Sequence, residues 1–211
     1  MTTRIALATL FAALVVPSSI AQADSPRLVA VVGTNDAFVI SLRDGSGNLV
    51  THLDPGTYDI AVSDRSQSHN FHLRGPGVDQ TTSVGDTAET QWTVTFAAGV
   101  YTYVCDAHPT QMRGYFLVGD VPATAFVGKV GPKKTISLSP KAALPGPATI
   151  VVNDRSKSDN FHLSGPGVNK KTGVKTRGRV TWNVTLAPGT YTYRSDKTKK
   201  LRGKFAVNFP A

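Results

Sequence analysis

The sequence predicts an all-β protein built from two tandem Greek-key β-sandwiches that follow an N-terminal signal peptide. Many short segments rich in Val, Thr, Tyr and Phe are separated by clusters of Gly, Pro, Asn and Asp, which is the pattern of strands and turns. Beyond the N-terminal segment, no stretch repeats its apolar residues at the helical period. A unit of about 90 residues occurs twice, which is too long for a solenoid repeat and suits a whole sandwich domain.

The first 23 residues have the three parts of a secretory signal peptide. A short basic start is followed by an apolar run over residues 5–16 and then by Ala21-Gln22-Ala23, which matches an A-x-A cleavage site. The apolar run is shorter than the roughly 20 residues that a membrane-spanning helix needs. The sequence therefore predicts cleavage after Ala23, no transmembrane span, and an exported protein that is periplasmic or secreted.

The first repeat contains seven candidate strands, each bounded by turn residues. They are predicted at residues 28–32, 38–42, 58–62, 70–73, 91–96, 100–104 and 115–118. Seven short strands in about 100 residues are typical of an antiparallel Greek-key sandwich. Trp92 and Trp182 occupy the same position of the two repeats, so both are predicted to lie in a core.

The repeat is clearest where DRSQSHNFHLRGPGV at residues 64–78 faces DRSKSDNFHLSGPGV at residues 154–168, with 12 of 15 positions identical. The offset of 90 holds to the pair WTVTFAAGVYTY and WNVTLAPGTYTY. Upstream, the first repeat carries extra residues within 43–54, which are predicted to form an exposed loop tip. The predicted domains are residues 24–120 and 124–211.

A loop near the end of the first repeat, YTYVCDAHPTQMRG, holds three side chains that bind soft metals. Cys105 is the only cysteine of the chain, so it cannot form an internal disulfide. His108 follows three residues later and Met112 four residues after that. A thiolate, an imidazole and a thioether at these spacings are three of the four ligands of a blue copper centre, which needs one further histidine.

Comparison of the two repeats selects that histidine. The soft donors of the first repeat are all replaced in the second, while the framework around them is kept. The pairs are His69 with Asp159, Cys105 with Ser195, His108 with Thr198 and, after one deletion, Met112 with Leu201. His72 recurs as His162 in the repeat that has no thiolate, so it is predicted to be structural. His52 lies in the inserted segment and is predicted to be solvated. His69 is therefore the predicted fourth ligand.

These residues resemble the cupredoxins, on the plastocyanin and amicyanin side of that family. The resemblance rests on Ser68-His69-Asn70 followed by Cys105, His108 and Met112, and it covers the chain twice, with the ligands only in the first copy. It implies one copper per chain, bound by His69, Cys105, His108 and Met112. It also implies that Asn70 ties the ligand loops together by hydrogen bonds. Asn70 recurs as Asn160, which favours a structural role.

The predicted function is one-electron transfer. Ligands held by distant parts of a rigid sandwich would allow the metal little change of geometry, and no H-x-H pair or second cysteine indicates an oxidase. The chain is accordingly predicted not to be an enzyme and to have a redox partner protein. Copper storage, delivery or tolerance without electron transfer is the alternative, although the chain lacks a Met-rich or His-rich tract. A third hypothesis is an adhesion or docking module.

Charge is distributed unevenly between the repeats. Residues 24–124 have a net charge of −6, whereas residues 125–211 have +14. Basic residues crowd the loop that replaces the copper loop: Arg194, Lys197, Lys199, Lys200, Arg202 and Lys204. This basic surface is interpreted as a solvated face, as a docking site for an acidic partner or an anionic surface, or as a contact with the acidic first repeat. Nucleic-acid binding is not expected, since aromatic residues do not alternate with the basic ones.

Overall fold

A computed structural model describes residues 25–210. The predicted signal peptide, residues 1–23, lies outside the described residues. Between residues 25 and 210 there is no helix with the length and apolarity needed to cross a membrane.

Residues 25–210 fold into two β-sandwiches of nine strands each. In the first unit the strands are β1 (Arg27–Val32), β2 (Ile40–Asp44), β3 (His52–Leu53), β4 (Gly56–Asp64), β5 (His72–Gly75), β6 (Val78–Thr81), β7 (Ala88–Phe96), β8 (Gly99–Val104) and β9 (Arg113–Val118). They form a four-stranded sheet in the order β2-β1-β4-β7 and a five-stranded sheet in the order β3-β9-β8-β5-β6.

The second unit repeats this arrangement strand for strand. Its strands are β10 (Thr124–Gly131), β11 (Thr135–Ser139), β12 (Ala142–Ala143), β13 (Gly146–Asp154), β14 (His162–Gly165), β15 (Val168–Lys171), β16 (Gly178–Leu186), β17 (Gly189–Arg194) and β18 (Arg202–Val207). The sheet orders are β11-β10-β13-β16 and β12-β18-β17-β14-β15. The all-β fold class and the tandem sandwiches predicted from the sequence are confirmed.

The sheets are mixed, which corrects the antiparallel arrangement expected from the sequence. In each unit the first strand pairs in parallel with the long central strand, as β1 does with β4 and β10 with β13. The two-residue strands β3 and β12 also pair in parallel, with β9 and β18. These pairs join segments that are far apart in the chain, so no local turn signal announces them.

Several strand boundaries in the structure differ from the predicted ones. The second predicted strand begins at Ile40, so Phe38 and Val39 belong to the loop before it. The strand predicted at residues 70–73 begins at His72, and Asn70 lies in a buried loop. Strands β3 and β6 were not predicted, because they are two and four residues long and are mostly polar or exposed. They are held by their neighbours rather than by their own propensity.

The inserted segment forms an exposed turn, as predicted, but it continues into strand β3. Asp44 accepts the backbone N–H groups of Ser46 and Asn48 at 2.9 and 2.8 Å and so closes the turn. His52 is exposed, and its Nε2 lies 3.1 Å from the carbonyl oxygen of Gly119. His52 therefore contributes to the edge of the sheet and lies away from the predicted ligands.

Each core is built around a tyrosine that ties two loops together. The Tyr101 hydroxyl lies 3.0 Å from the carbonyl oxygens of Pro76 and Ala97 and accepts the Ala97 N–H at 3.1 Å. Tyr191 makes the same contacts in the second unit. Both rings are fully buried, whereas Trp92 and Trp182, predicted as core residues, pack at the margins of the cores and are only partly buried.

We expect Gly75→Ala to destabilise the first unit by about 1–3 kcal/mol, the usual cost of overpacking. A Cβ on Gly75 would lie 2.1 Å from the buried Tyr101 ring, which has no space to move. Gly45→Ala is the control, because its Cβ would meet nothing closer than a backbone oxygen at 3.7 Å. Chemical denaturation followed by Trp92 fluorescence in a Trp182→Phe background would report the first unit alone. Equal denaturation midpoints for Gly75→Ala and Gly45→Ala would contradict the expectation.

The two units meet on the outer face of the five-stranded sheet of the first. Val100, Thr102 and Val104 point away from their own core, yet all three are buried. The C-terminal segment of the second unit reaches this region, where the Phe209 ring lies 4.1 Å from the Arg113 guanidinium carbon and 5.9 Å from the Tyr115 ring. At the corresponding positions of the second unit, Thr190 is exposed and Thr192 and Arg194 are only partly buried.

Candidate metal centre

Cys105 follows directly on strand β8, and a compact turn brings the next predicted ligands back toward it. The Cys105 N–H donates to the Met112 carbonyl at 2.9 Å, the His108 N–H to the Cys105 carbonyl at 3.1 Å, and the Met112 N–H to the His108 carbonyl at 2.9 Å. These bonds close the loop upon itself between two paired strands. The positions of three predicted ligands are thus fixed by backbone geometry.

His69 comes from the other side of the sandwich, in the loop between β4 and β5. Ser66 organises this loop, because its hydroxyl accepts the Ser68 N–H at 3.0 Å. The loop between β1 and β2 packs directly on it, and a Cβ at Gly33 would lie 2.4 Å from Ser66 Cβ and 3.1 Å from His69 Cδ2. Gly33 has φ of +67°, so glycine meets both the steric and the conformational demand.

Three donor atoms converge in the interior of the first unit. Cys105 Sγ lies 3.7 Å from Nδ1 of His69 and 3.7 Å from Nδ1 of His108, and the two Nδ1 atoms are 3.0 Å apart. All three donors lie within 4.8 Å of one another. His69 and Cys105 are buried and His108 is partly buried. The arrangement can hold a single metal ion.

Met112 belongs to the same buried cluster as Cys105, and its side chain has no solvent exposure. Its backbone bonds to Cys105 and His108 place it beside them. Leu201 occupies the matching place in the second unit, where the Ser195 N–H donates to the Leu201 carbonyl at 2.9 Å. Ligation by Met112 stays a prediction, because an apolar side chain suits this position in both units.

The chemistry of the donors fits copper. One thiolate, two imidazole nitrogens and a neighbouring thioether form the soft and borderline set of blue copper sites. Only one proton can lie between the two Nδ1 atoms at 3.0 Å, whereas a soft cation could accept a lone pair from each ring and from the sulfur. Among residues 25–210, Cys105 is the one free cysteine, and it is buried.

In the second unit, oxygen atoms occupy the position that corresponds to the donor cluster of the first unit. Asp159 is buried where His69 lies in the first unit, and it accepts the Ser195 hydroxyl at 2.8 Å. The N–H groups of Lys197 and Thr198 each donate to the Ser195 hydroxyl at 3.1 Å. Burial opposes ionisation of Asp159, but hydrogen bonds from the Thr198 and Ser195 hydroxyls lower its pKa. This self-contained polar cluster has no soft donor.

Asn70 joins the two loops that carry the donors, as the family resemblance implied. Its Oδ1 accepts the Asp106 N–H at 2.7 Å, and its Nδ2 donates to Asp106 Oδ2 at 2.7 Å and to Thr81 Oγ1 at 2.9 Å. Asn160 and Asp196 repeat this clamp in the second unit, with the Asp196 N–H donating to Asn160 at 2.8 Å. Because the clamp occurs in both units and only the first unit has the soft donors, its role is to hold the two loops together.

His72 lies outside the donor cluster and is part of the same clamp. Its Nδ1 lies 2.8 Å from Asp106 Oδ2. Burial disfavours the charged form of Asp106, but hydrogen bonds from Asn70 and His72 outweigh it and lower the pKa of this carboxyl. His162 pairs with Asp196 at 2.7 Å in the second unit. The structure thus places His72 in a structural network, in agreement with its recurrence in both repeats.

Phe38 is a residue of the site that sequence reasoning assigned to a strand. Its ring contacts the rings of His69 and His108 edge-on, with centroid distances of 5.2 and 4.7 Å. The comparison of the two repeats could have identified it. Ile40 matches Ile136, so Phe38, two residues before Ile40, corresponds to Lys134 in the second repeat. The aromatic residue therefore disappears together with the soft donors.

The predicted basic surface lies partly on one sheet and partly on a loop. Arg194 and Arg202 face each other across β17 and β18, and Lys204 is two residues further along β18. Lys197, Lys199 and Lys200 are exposed in the intervening loop. Arg194 Nε lies 3.5 Å from Asp196, which offsets part of its charge. Arg202 and Lys204 are exposed as well, so these basic side chains are open to solvent, and their role as a docking surface stays a prediction.

Comparison with known proteins gives a similarity of fold only. No family model and no curated protein matches the chain. Similar solved structures include reduced rusticyanin, with 20% identity over 44% of this chain and 78% of that one and a TM-score of 0.34. A multicopper oxidase has 16% identity over 86% and 88%, with a TM-score of 0.30. The Cu-containing nitrite reductase from Thermus scotoductus SA-01 has 13% identity over 87% and 61%, with a TM-score of 0.29.

The description of the fold and of the site therefore depends on the chain's own strand order and side chains. Both units have the same mixed four-stranded and five-stranded sheets, and in the first unit Cys105 directly follows strand β8 while His69 lies in the loop before β5. The tandem pair of β-sandwiches and the convergence of Cys105 Sγ with two histidine Nδ1 atoms agree with the resemblance to the cupredoxins that the sequence predicted.

Proposed function

We propose that this chain is an exported copper protein that carries single electrons through a site in its first unit. The observation that carries the proposal is the convergence of Cys105 Sγ and the Nδ1 atoms of His69 and His108 in a buried position. These three residues would hold the ion, with the Met112 thioether as the fourth, weak donor. When bound, copper supplies a couple that exchanges one electron between Cu(II) and Cu(I).

The protein would hold the proposed copper ligands in fixed positions. His69 and Cys105 are 36 residues apart and are fixed to each other through the Asn70–Asp106 clamp. The loop that carries His108 is closed by backbone hydrogen bonds at both ends. Donors held in this way cannot easily change their geometry when the charge of the ion changes, which favours fast electron exchange.

Burial of the donors favours a carrier over an enzyme. Cys105 and Met112 have no solvent exposure and His69 has 1%, so a substrate has no direct approach to them. His108 is partly exposed and is followed by the exposed Pro109, so its ring edge is the route by which an electron would enter or leave. The proposed activity therefore needs a partner protein near His108 and no bound substrate.

The test is a titration of the mature chain, residues 24–211, with Cu(II), followed by voltammetry. We expect an intense visible band that saturates at one copper per chain, because a thiolate bound to Cu(II) gives a strong charge-transfer transition. We also expect a reversible one-electron wave. A protein that binds only Cu(I), or that binds copper without a reversible wave, would indicate storage or delivery instead.

The second unit retains the scaffold without the donors, so we propose a docking role for it. The basic surface carries a charge opposite to that of the first unit and would steer encounter with an acidic redox partner. Such long-range attraction acts mainly on the rate of association and weakens as salt is added. This role stays a prediction, as does the identity of the partner.

A further inference from the structure

Phe38 covers the side of the metal site that faces solvent. Its side chain is 57% exposed, yet its ring contacts both candidate histidine ligands edge-on, at 5.2 Å from His69 and 4.7 Å from His108. The two histidine rings are themselves 4.8 Å apart. The phenyl ring therefore touches both imidazoles on one side and water on the other.

The loop that presents Phe38 is held in an uncommon conformation. Asn35 and Asp36 have φ of 55° and 57°, in the left-handed region that non-glycine residues seldom adopt. The Gly33 N–H donates to the Val39 carbonyl at 3.0 Å and closes the loop, and the Ser66 hydroxyl donates to Asp36 at 2.5 Å. Because Ser66 also organises the turn that carries His69, the Phe38 loop is tied to a ligand loop.

The second unit shows what this position becomes where the soft donors are absent. Strands β1 and β2 pair Val32 with Ile40, whereas β10 and β11 pair Val130 with Ile136. The connecting loop is therefore two residues shorter in the second unit, and Lys134 takes the place of Phe38. Burial opposes ionisation of Asp159, but hydrogen bonds from Thr198 and Ser195 lower its pKa, and the positive charge of Lys134 adds a smaller effect in the same direction. The extended loop and its aromatic ring thus occur only together with the soft donors.

We propose that Phe38 is a lid that holds the two imidazoles in position and keeps water and small anions from the metal and the thiolate. This role rests on the proposed function, because it assumes that the cluster binds copper. An aromatic edge against each ring restricts the rotation of both imidazoles, and an apolar ring offers no ligand to the ion. Exclusion of water keeps the coordination to the protein's own donors.

The first experiment requires no metal. Cys105 in the metal-free protein is alkylated with iodoacetamide, and the rate is compared between the parent, Phe38→Ala, Phe38→Leu and Val127→Ala. Val127 is 41% exposed and lies in the second unit, so its truncation removes an exposed apolar side chain far from the site. We expect Phe38→Ala to react about tenfold faster than the parent, because opening of the lid limits access to the buried thiol. Phe38→Leu should restore most of the protection, and Val127→Ala should react as the parent does.

The second experiment uses the copper-loaded protein and titrates it with azide. We expect azide to shift the visible spectrum of Phe38→Ala at concentrations that leave the parent unchanged. Equal alkylation rates in parent and Phe38→Ala would overturn the lid. If only electron exchange with a partner slows, while alkylation and azide binding are unchanged, Phe38 is a docking residue and the lid is likewise overturned. Failure of the parent to form a copper site would contradict the proposed function, but the alkylation rates would still report on the lid.

Discussion

Replacement of Cys105 by serine is expected to remove the intense visible band of the copper-loaded protein. The band requires a thiolate bound to Cu(II), and a hydroxyl remains protonated and is a poor ligand for a soft ion. We expect copper affinity to fall by more than the roughly 10–100-fold that loss of an outer hydrogen-bond partner of a metal ligand costs. Absorption spectra and a competition titration with a copper chelator would measure both effects.

The second unit indicates that Cys105→Ser should still fold. Ser195 occupies this position in the same scaffold, between a strand of the same register and a loop closed by the same backbone bond to Leu201. The free energy of unfolding of the metal-free variant should therefore stay within about 1 kcal/mol of the parent. A large loss of stability would mean that the visible band was lost because the variant unfolds, and not because the thiolate is missing.

Ser195→Cys is the matched control. It places a thiol at the corresponding position, but its neighbours remain the Asp159 carboxylate, to which the Ser195 hydroxyl donates, and the Thr198 N–H, which that hydroxyl accepts. A single thiol without imidazoles should give no blue band at that site. If Ser195→Cys produced a second blue centre, the two histidines of the first unit would not be necessary for a blue copper site in this scaffold.

The repeat explains how much of the site the sequence could predict. The choice of His69 over His72 needed only the observation that one changes with the cysteine and the other does not. Phe38 was open to the same comparison, but it was assigned to a strand because Phe and Val favour strands and nothing local shows that the loop through Asn35 and Asp36 extends to Val39. The strand begins two residues later, where Ile40 pairs with Val32.

The features that escaped prediction depend on contacts between distant segments. Strand β3 has two residues and exists because it pairs with β9 across more than 60 positions of the chain. The parallel pairing of β1 with β4 leaves no mark in either segment, because an alternating pattern is compatible with both directions of pairing. Burial of the outer face of β8 follows from the position of the second unit, which the sequence of β8 does not contain.

Asn70→Ala is expected to lower the stability of the first unit by about 1–3 kcal/mol, because it removes a buried amide and the hydrogen bonds that this amide makes. Asn70 is 2% exposed, and its amide holds both the N–H and the carboxylate of Asp106. Since Asp106 is joined to Cys105, loss of the clamp should also loosen the thiolate. We expect weaker copper binding and a broader visible band, in addition to the loss of stability.

Asn160→Ala separates the two effects, because the same clamp operates there without a metal. Asn160 accepts the Asp196 N–H at 2.8 Å and donates to the Asp196 carboxylate at 3.1 Å, so a similar loss of stability is expected in the second unit. Each unit has one tryptophan, so Trp92→Phe and Trp182→Phe backgrounds allow fluorescence to follow each unit separately during denaturation. Copper binding should be unchanged in Asn160→Ala. Should Asn70→Ala lose stability while Asn160→Ala does not, the amide would serve the donor loops specifically, and the clamp could not be a shared element of the scaffold.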